Sequence, residues 1–376
     1  MISSAKRESP GGRGIFAHLL HRFHLDPPLL ASLLAVMVMG ALVLYSASGS
    51  DADVLLRQFT RIGAAMLILI VMAQINIAWV RRAAPWAYIV GLATLVMVIL
   101  AGEMGGGAQR WLDIGIRFQP SELMKLAVPA MLAWFLHERP LPTSFTVNCI
   151  LLGLIAAPVA LLALQPDLGT AILIALTGIS VIFLAGIAMR YVISAIPIAV
   201  GAVLVLWNFY MHDYQKQRVL TLLDPEKDPL GAGYHIIQSK IAIGSGGLFG
   251  KGWLNGSQGK LEFLPEQTTD FIFAVIGEEF GFTGVTLLLL LYLLIVARGF
   301  FIAAAAQDTF SRLLAGSISF TFFFYVFVNT AMVTGLLPVV GVPLPLISAG
   351  GTSMVTLLAG FGILMSIQTH RKLLPR

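Results

Sequence analysis

The chain has 376 residues, is 57% hydrophobic, and carries charge at only 11% of positions. Soluble domains carry about 25% charged residues, so the composition excludes a soluble enzyme and describes a membrane protein. The net charge of +5 comes without any clustered Lys/Arg run, which favours anionic lipid headgroups over nucleic acid, and Cys149, the one cysteine, leaves no intramolecular disulfide.

Residues 1–28 are polar and basic, with Lys6, Arg7, Arg13 and Arg22 ahead of a first apolar run long enough to stay in a bilayer; no cleavable leader is expected. A spanning helix needs about 20 mostly apolar residues. Such windows fall at 29–48, 62–80, 83–101, 121–137, 147–165, 168–188, 191–210, 271–297, 313–337 and 351–368. The expected fold is therefore an all-α polytopic membrane protein of about ten transmembrane helices, with a large extracytoplasmic loop, about 211–270, between helices 7 and 8. The corresponding division is a cytoplasmic segment 1–28, one membrane domain 29–369 and a cytoplasmic tail 370–376.

Ten spans put both termini on one side. With that topology thirteen of the 24 Lys and Arg face the side of the termini, against five (Arg57, Arg61, Arg110, Arg117 and Lys125) in the short connections opposite. Positive residues accumulate in cytoplasmic loops, so both termini are expected in the cytoplasm. The cytoplasmic loops are too short to hold an ATPase, and chemistry is expected at the outer face.

Two outer segments carry the polar residues. In the first, 105–125, Glu122 and Lys125 stand three apart on one helix face just after Pro120, which suits a helix start. They read as a structural ion pair first and as cavity residues second. Asp167, in LQPDLGTA, reads as a helix cap. The second segment, 211–270, is too long to be a structureless loop in a compact domain. Its GSGGLFGKG stretch, Gly244 to Gly252, has the look of a phosphate cradle, with Lys240 and Lys251 near it; Ser245 and Gly252 break the Walker pattern, and a plain turn is the stronger reading. Asp270 stands directly before the apolar run 271–276, where a carboxylate is costly and marks a functional site; a helix cap favoured by the macrodipole is its other reading. Continuous helical geometry from there would put Glu278 about 12 Å deeper and Glu279 on a nearly opposite face.

The strings RWLDIG…FQPSELMK, LQPDLGTA, QKQRVLTLLDPEKDPLGAGYHIIQSKIAIGSGGLFGKGWLNGSQGKLEFLPEQTTDFIFAVIGEEFG and GLLPVVGVPLPLISAGG together resemble the SEDS family (shape, elongation, division, sporulation), closer to its RodA elongation branch than to its FtsW division branch. The resemblance runs from the first span to the C-terminus. It implies a ten-span peptidoglycan glycosyltransferase that polymerises lipid II at the outer face of the cytoplasmic membrane. The family's essential Asp, in a Pro-Glu-x-x-Thr-Asp pattern, falls on Asp270, and its Gln-Pro-Ser-Glu-x-x-Lys motif places Glu122 and Lys125 along the cavity. Two positions depart from the family pattern: Thr268 stands where many relatives have His, and Ala349 where Tyr is usual.

The mechanism this suggests has Asp270 take the proton of the GlcNAc 4-hydroxyl, whose oxygen attacks C1 of lipid-linked MurNAc with inversion and loss of undecaprenyl pyrophosphate. Arg110, Arg218, Lys240 and Lys251 are further candidates to hold pyrophosphate. A divalent cation, Mg²⁺ or Mn²⁺, is an alternative role for Asp270, as ligand instead of base. The resemblance also implies a class B penicillin-binding protein as partner, its transmembrane helix against the spans near 271–337, and other elongation-complex membrane proteins. A lipid II flippase and a non-catalytic scaffold for a cell-wall transpeptidase are the alternative readings.

Overall fold

The structure is a computed structural model describing residues 23–370, apart from 106–107, 114–116, scattered positions between 188 and 203, 212, 228–231 and 258–265. Its elements are α1 (Pro27–Ala47), α2 (Ala52–Gln74), α3 (Ile77–Ala101), the short strands β1 (Glu103–Gly105), β2 (Ala108–Asp113) and β3 (Arg117–Phe118), α4 (Pro120–Leu136), α5 (Phe145–Leu164), α6 (Leu168–Leu184), α7 (Asp213–Leu223), α8 (Ala232–Gly246), α9 (Ile272–Ala304), α10 (Thr309–Val333) and α11 (Gly351–Thr369). Seven of these helices, α1, α2, α3, α5, α9, α10 and α11, are long and apolar enough to cross a membrane. α4 and α6 have 17 residues each. The window at 191–210 falls in good part outside the described residues.

Local sequence explains most boundaries. Asp26, Asp51, Asn76, Ser144, Asp167 and Asp308 each cap a helix start with a side-chain oxygen accepting a backbone N–H two or three residues on, which satisfies donors that the helix itself cannot. Pro120 opens α4, where its missing N–H costs nothing. In the interior, side-chain hydrogen bonds to distant backbone carbonyls tie the elements together. Tyr88 Oη donates to the Leu154 carbonyl (2.6 Å), Gln165 Nε2 to Leu95 (2.8 Å) and Tyr292 Oη to Pro345 (2.7 Å).

The first and last described residues meet at one end of the bundle. His24 stacks on His370 at 4.0 Å between ring centroids. There Arg298 donates to both oxygens of Asp26, at 3.0 and 2.6 Å, tying the start of α1 to α9. At the opposite end lie the strands β1–β2–β3, antiparallel in that order, together with α8, the turns around 250–257 and Asp270.

Two boundaries differ from the sequence reading. α2 begins ten residues before the 62–80 window, so Arg57 and Arg61 stand on its first turns and not in a connection; likewise Arg81 and Arg82 lie within α3. Charged side chains lower a window's hydropathy, yet they sit well on the exposed face of a helix end where they reach water.

The second difference concerns α9. Gly281 has φ 63° and ψ −160°, which divides the element into Ile272–Phe280 and a spanning part Phe282–Ala304. The first part does not descend into the bundle. Asp270, at its start, is bonded to α10 near the end of that helix, and Glu279, at its finish, is bonded to Ser46, one residue from the end of α1. Both contacts are at the end remote from the His24–His370 stack. Glu278 is therefore not a deep membrane carboxylate below Asp270: the bend keeps it at the same end.

Candidate active site

A cavity of about 370 Å³ opens among the starts of α4, α6 and α11, the outer turns of α2 and α10, and the segment 341–343. Asp270, Glu122 and Lys125 all line it, with Arg61, Trp111, Gln119, Tyr325 and Gly350–Ser353. Residues placed far apart by sequence reading thus converge on one volume.

Lys125 Nζ lies 2.6 Å from Glu122 Oε1, both side chains more than nine-tenths buried. The same ammonium stands 4.7 Å from the Tyr325 ring centroid, a favourable cation–π geometry. Glu122 Oε2 is buried with no hydrogen-bond partner among the described residues. Spacing of three residues on α4 makes the pair possible, and removal of water around it makes each charge depend on the other.

Asp270 sits on a turn whose backbone is held at three successive carbonyls. Thr268 accepts from the Ala349 N–H at 2.9 Å. Thr269 accepts from the Ser348 hydroxyl, and Asp270 accepts from Asn329 Nδ2 at 2.8 Å. The Asp270 carboxylate lies against Gly341, at which a β-carbon would stand 3.5 Å from Oδ2. Thr268 and Ala349, the two departures from the family pattern, are joined to each other by the first of these bonds.

Arg61 is a cavity residue that sequence reasoning missed. Its side chain packs beside Gly351, with Cδ and Nε 3.5 and 3.6 Å from where a β-carbon would be. The signal was a cation in the first turns of a span, masked because the window opened at 62.

Lys240 and Lys251 are elsewhere. Lys240 lies on α8, its ammonium against Gly335. Lys251 Nζ is 2.6 Å from Glu278 Oε1 and 2.8 Å from Ser257 Oγ. Three amides of the GSGGLFGKG stretch are occupied as well: Gly250, Lys251 and Gly252 donate to the carbonyls of Gly246, Glu278 and Glu279 at 2.8, 3.0 and 2.9 Å. These three bonds seat the turn on α9 beside the buried carboxylates Glu278 and Glu279. Asp167 caps α6 through the Thr170 N–H at 3.5 Å. The side chains of Arg110 and Arg218 lie outside the described residues.

No group of three or more His, Cys, Asp or Glu side chains converges on a common point among the described residues. A divalent cation at Asp270 would find fewer than three such side chains there, a donor set that suits Mg²⁺ only when phosphate oxygens and water complete the shell.

The family model FTSW_RODA_SPOVE, described as cell cycle protein, matches residues 27–373. The peptidoglycan glycosyltransferase MrdB of Escherichia coli (strain K12) is 55% identical over 356 residues, 94% of this chain and 96% of that protein. The probable peptidoglycan glycosyltransferase FtsW of Trichlorobacter lovleyi is 37% identical over 370 residues, 93% and 94% of the two chains. Among solved structures, a chain from "Structural coordination of polymerization and crosslinking by a peptidoglycan synthase complex" superposes with TM-score 0.80 at 34% identity, covering 91% of this chain and 97% of that one. The rod shape determining protein RodA of Thermus thermophilus superposes with TM-score 0.70 at 29% identity, covering 92% and 98%.

Proposed function

Because the chain belongs to the FtsW/RodA/SpoVE family, we infer that it is a peptidoglycan glycosyltransferase of the RodA type, polymerising lipid II into glycan strands during cell elongation. The observation that carries the reading is the convergence of Asp270, Arg61 and the Glu122–Lys125 pair on one cavity at the end of the bundle remote from the His24–His370 stack. A lipid-linked sugar needs that placement, since its tail stays in the bilayer while its sugars react in water. The positive-inside bias assigns the termini to the cytoplasm and the cavity to the outer face.

In this reading Asp270 is the general base. It takes the proton from the GlcNAc 4-hydroxyl as that oxygen bonds to C1 of the lipid-linked MurNAc; the C1–oxygen bond to undecaprenyl pyrophosphate breaks, and the anomeric centre inverts. Pyrophosphate is a good leaving group, so the chain's contribution is positioning, a base and charge stabilisation. Arg61 is the cavity cation proposed to meet that pyrophosphate, while Lys125 is engaged with Glu122. In the alternative reading Asp270 is not the base but would be a protein ligand of a Mg²⁺ or Mn²⁺ ion bound with the pyrophosphate, and that ion would supply charge neutralisation.

A class B penicillin-binding protein is the proposed partner, with other elongation-complex membrane proteins around it. Its transmembrane helix is assigned to the lipid-facing side of α9 and α10, where Phe282, Leu290, Leu293 and Phe327 are exposed.

The test is polymerisation of labelled lipid II by the full chain, alone and with its penicillin-binding partner, read as glycan ladders. Wild type is expected to give ladders, and folded, partner-binding Asp270→Ala and Asp270→Asn none. Ladders from either variant would remove Asp270 from the base role. Absence of ladders from the wild-type complex would return the flippase and scaffold readings.

A further inference from the structure

Asn329 follows the largely aromatic stretch 322–328 of α10 and is fully buried. An amide in that position is costly unless its donors are used, and both are. Nδ2 donates to the Asp270 carbonyl at 2.8 Å and to the Val342 carbonyl at 2.7 Å. Because both neighbours are carbonyl oxygens, the NH₂ group is fixed on that side. Oδ1 is buried with no hydrogen-bond partner among the described residues. The residue gives up one acceptor to keep these two bonds, so what the site demands is a double donor.

The two carbonyls belong to the two segments that face each other across the cavity mouth. Asp270 ends the turn 266–270, and Val342 follows Gly341, against which the Asp270 carboxylate lies. Ser348 makes a parallel connection one residue earlier. Its hydroxyl accepts from the Leu344 N–H at 2.8 Å and donates to the Thr269 carbonyl. The two side chains therefore lock successive peptide units of the turn to α10 and to the 341–348 segment.

We propose that Asn329, with Ser348 as its second member, is a positioning residue for the glycosyl transfer, setting the Asp270 carboxylate through its backbone carbonyl without touching sugar or pyrophosphate. The proposal rests on the reading of Asp270 as the base. A misplacement of about 1 Å at a reacting group can cost about a hundredfold in rate, and a residue that acts only through such placement lowers kcat while leaving substrate affinity alone.

The experiment compares wild type, Asp270→Asn, Asn329→Leu and Ser348→Ala as full chains with the penicillin-binding partner, measuring kcat and KM for lipid II per folded molecule. Asn329→Leu nearly conserves volume and removes both donors; Ser348→Ala removes the neighbouring one at little steric cost. Expected are a fall in kcat of at least tenfold for Asn329→Leu and about threefold for Ser348→Ala, with KM within about twofold of wild type in each. Wild-type kcat in a folded Asn329→Leu protein would overturn the proposal, as would a rise in KM at unchanged kcat, which would mean direct substrate contact. If Asn329→Leu gives no folded protein, Ser348→Ala decides by the same kcat criterion. Failure of both to fold would make the clamp structural and overturn the positioning role. Activity in Asp270→Asn would fail the base reading, whereas an inactive Asp270→Asn beside a fully active Asn329→Leu fails the positioning proposal alone.

Discussion

Glu122 Oε1 and Lys125 Nζ are 2.6 Å apart on the first two turns of α4, both buried, at the floor of the cavity that Asp270 also lines. The pair serves the fold and the site in different ways, and substitutions separate the two. Removing one partner of a buried pair costs about 3–5 kcal/mol because the other charge is left uncompensated. Glu122→Gln or Lys125→Met alone is therefore expected to lower the thermal midpoint in detergent sharply. The double variant Glu122→Gln/Lys125→Met removes both charges and is expected to recover most of the stability. If the pair also shapes the substrate cavity, the recovered double variant stays slow in polymerisation. Full activity in the stable double variant would reduce the pair to a structural one.

Arg61 lies on the cavity wall beside Gly351. Guanidinium binds phosphate oxygens in a bidentate fork that ammonium cannot reproduce. Arg61→Ala is expected to lower kcat/KM for lipid II about tenfold, equivalent to about 1.4 kcal/mol, and Arg61→Lys to recover part of it. Steady-state polymerisation at several substrate concentrations checks this; unchanged kinetics in Arg61→Ala would place the pyrophosphate elsewhere.

Glu278 is the hub of the 250–257 turn. Its Oε1 accepts from Lys251 Nζ at 2.6 Å, the Ser257 N–H at 2.8 Å and the Ser257 hydroxyl at 2.9 Å. Hydrogen bonds to charged groups contribute about 1.5–3 kcal/mol each. Glu278→Ala should destabilise the chain more than Lys251→Ala, since the first leaves three donors without their acceptor and the second removes one partly exposed cation. Thermal unfolding of the two variants ranks them. Lys251→Ala should also keep KM for lipid II near wild type; a large rise would restore Lys251 as a substrate ligand.

The spans were legible in the sequence because hydrocarbon imposes a length and a composition that few other constraints mimic. Asp167 as a cap and Glu122–Lys125 as a pair were legible for a local reason: each interaction lies within one turn of helix. The family motif singled out Asp270, but what holds it was not legible. Its three carbonyl partners come from Asn329, Ser348 and Ala349, 59 to 81 residues away in the chain, and a backbone acceptor leaves no mark in a side-chain pattern. The cavity role of Arg61 was hidden similarly, since packing of α2 against α11 brings it there. One clue to the bend in α9 was available. Two adjacent carboxylates followed by Phe280-Gly281 are hard to keep in lipid, and a break that returns them to the membrane surface resolves the conflict.

That break gives the most demanding of these tests. Gly281 has φ 63° and ψ −160°, a region essentially confined to glycine, where another residue costs about 1–3 kcal/mol in backbone strain alone. Space is also lacking. A β-carbon there would stand 2.3 Å from the Gly250 nitrogen and 2.8 Å from the Leu248 carbonyl, and the bonds from Phe282 N–H to Gly247 and from Thr283 N–H to Leu248 hold that turn in place. Relief of the clash must displace either the 247–252 turn or the 272–280 segment that begins at Asp270. Gly281→Ala is accordingly expected to reduce folded yield or, where the protein is recovered, to lower kcat. Gly244 provides the control: it lies in the last turns of α8 with nothing within 4 Å of a β-carbon. Gly244→Ala should gain up to about 1 kcal/mol from helix propensity and polymerise lipid II at the wild-type rate. Equal behaviour of the two variants in yield and kcat would show that the bend at Gly281 is not what sets the height of Glu278 and the placement of Asp270.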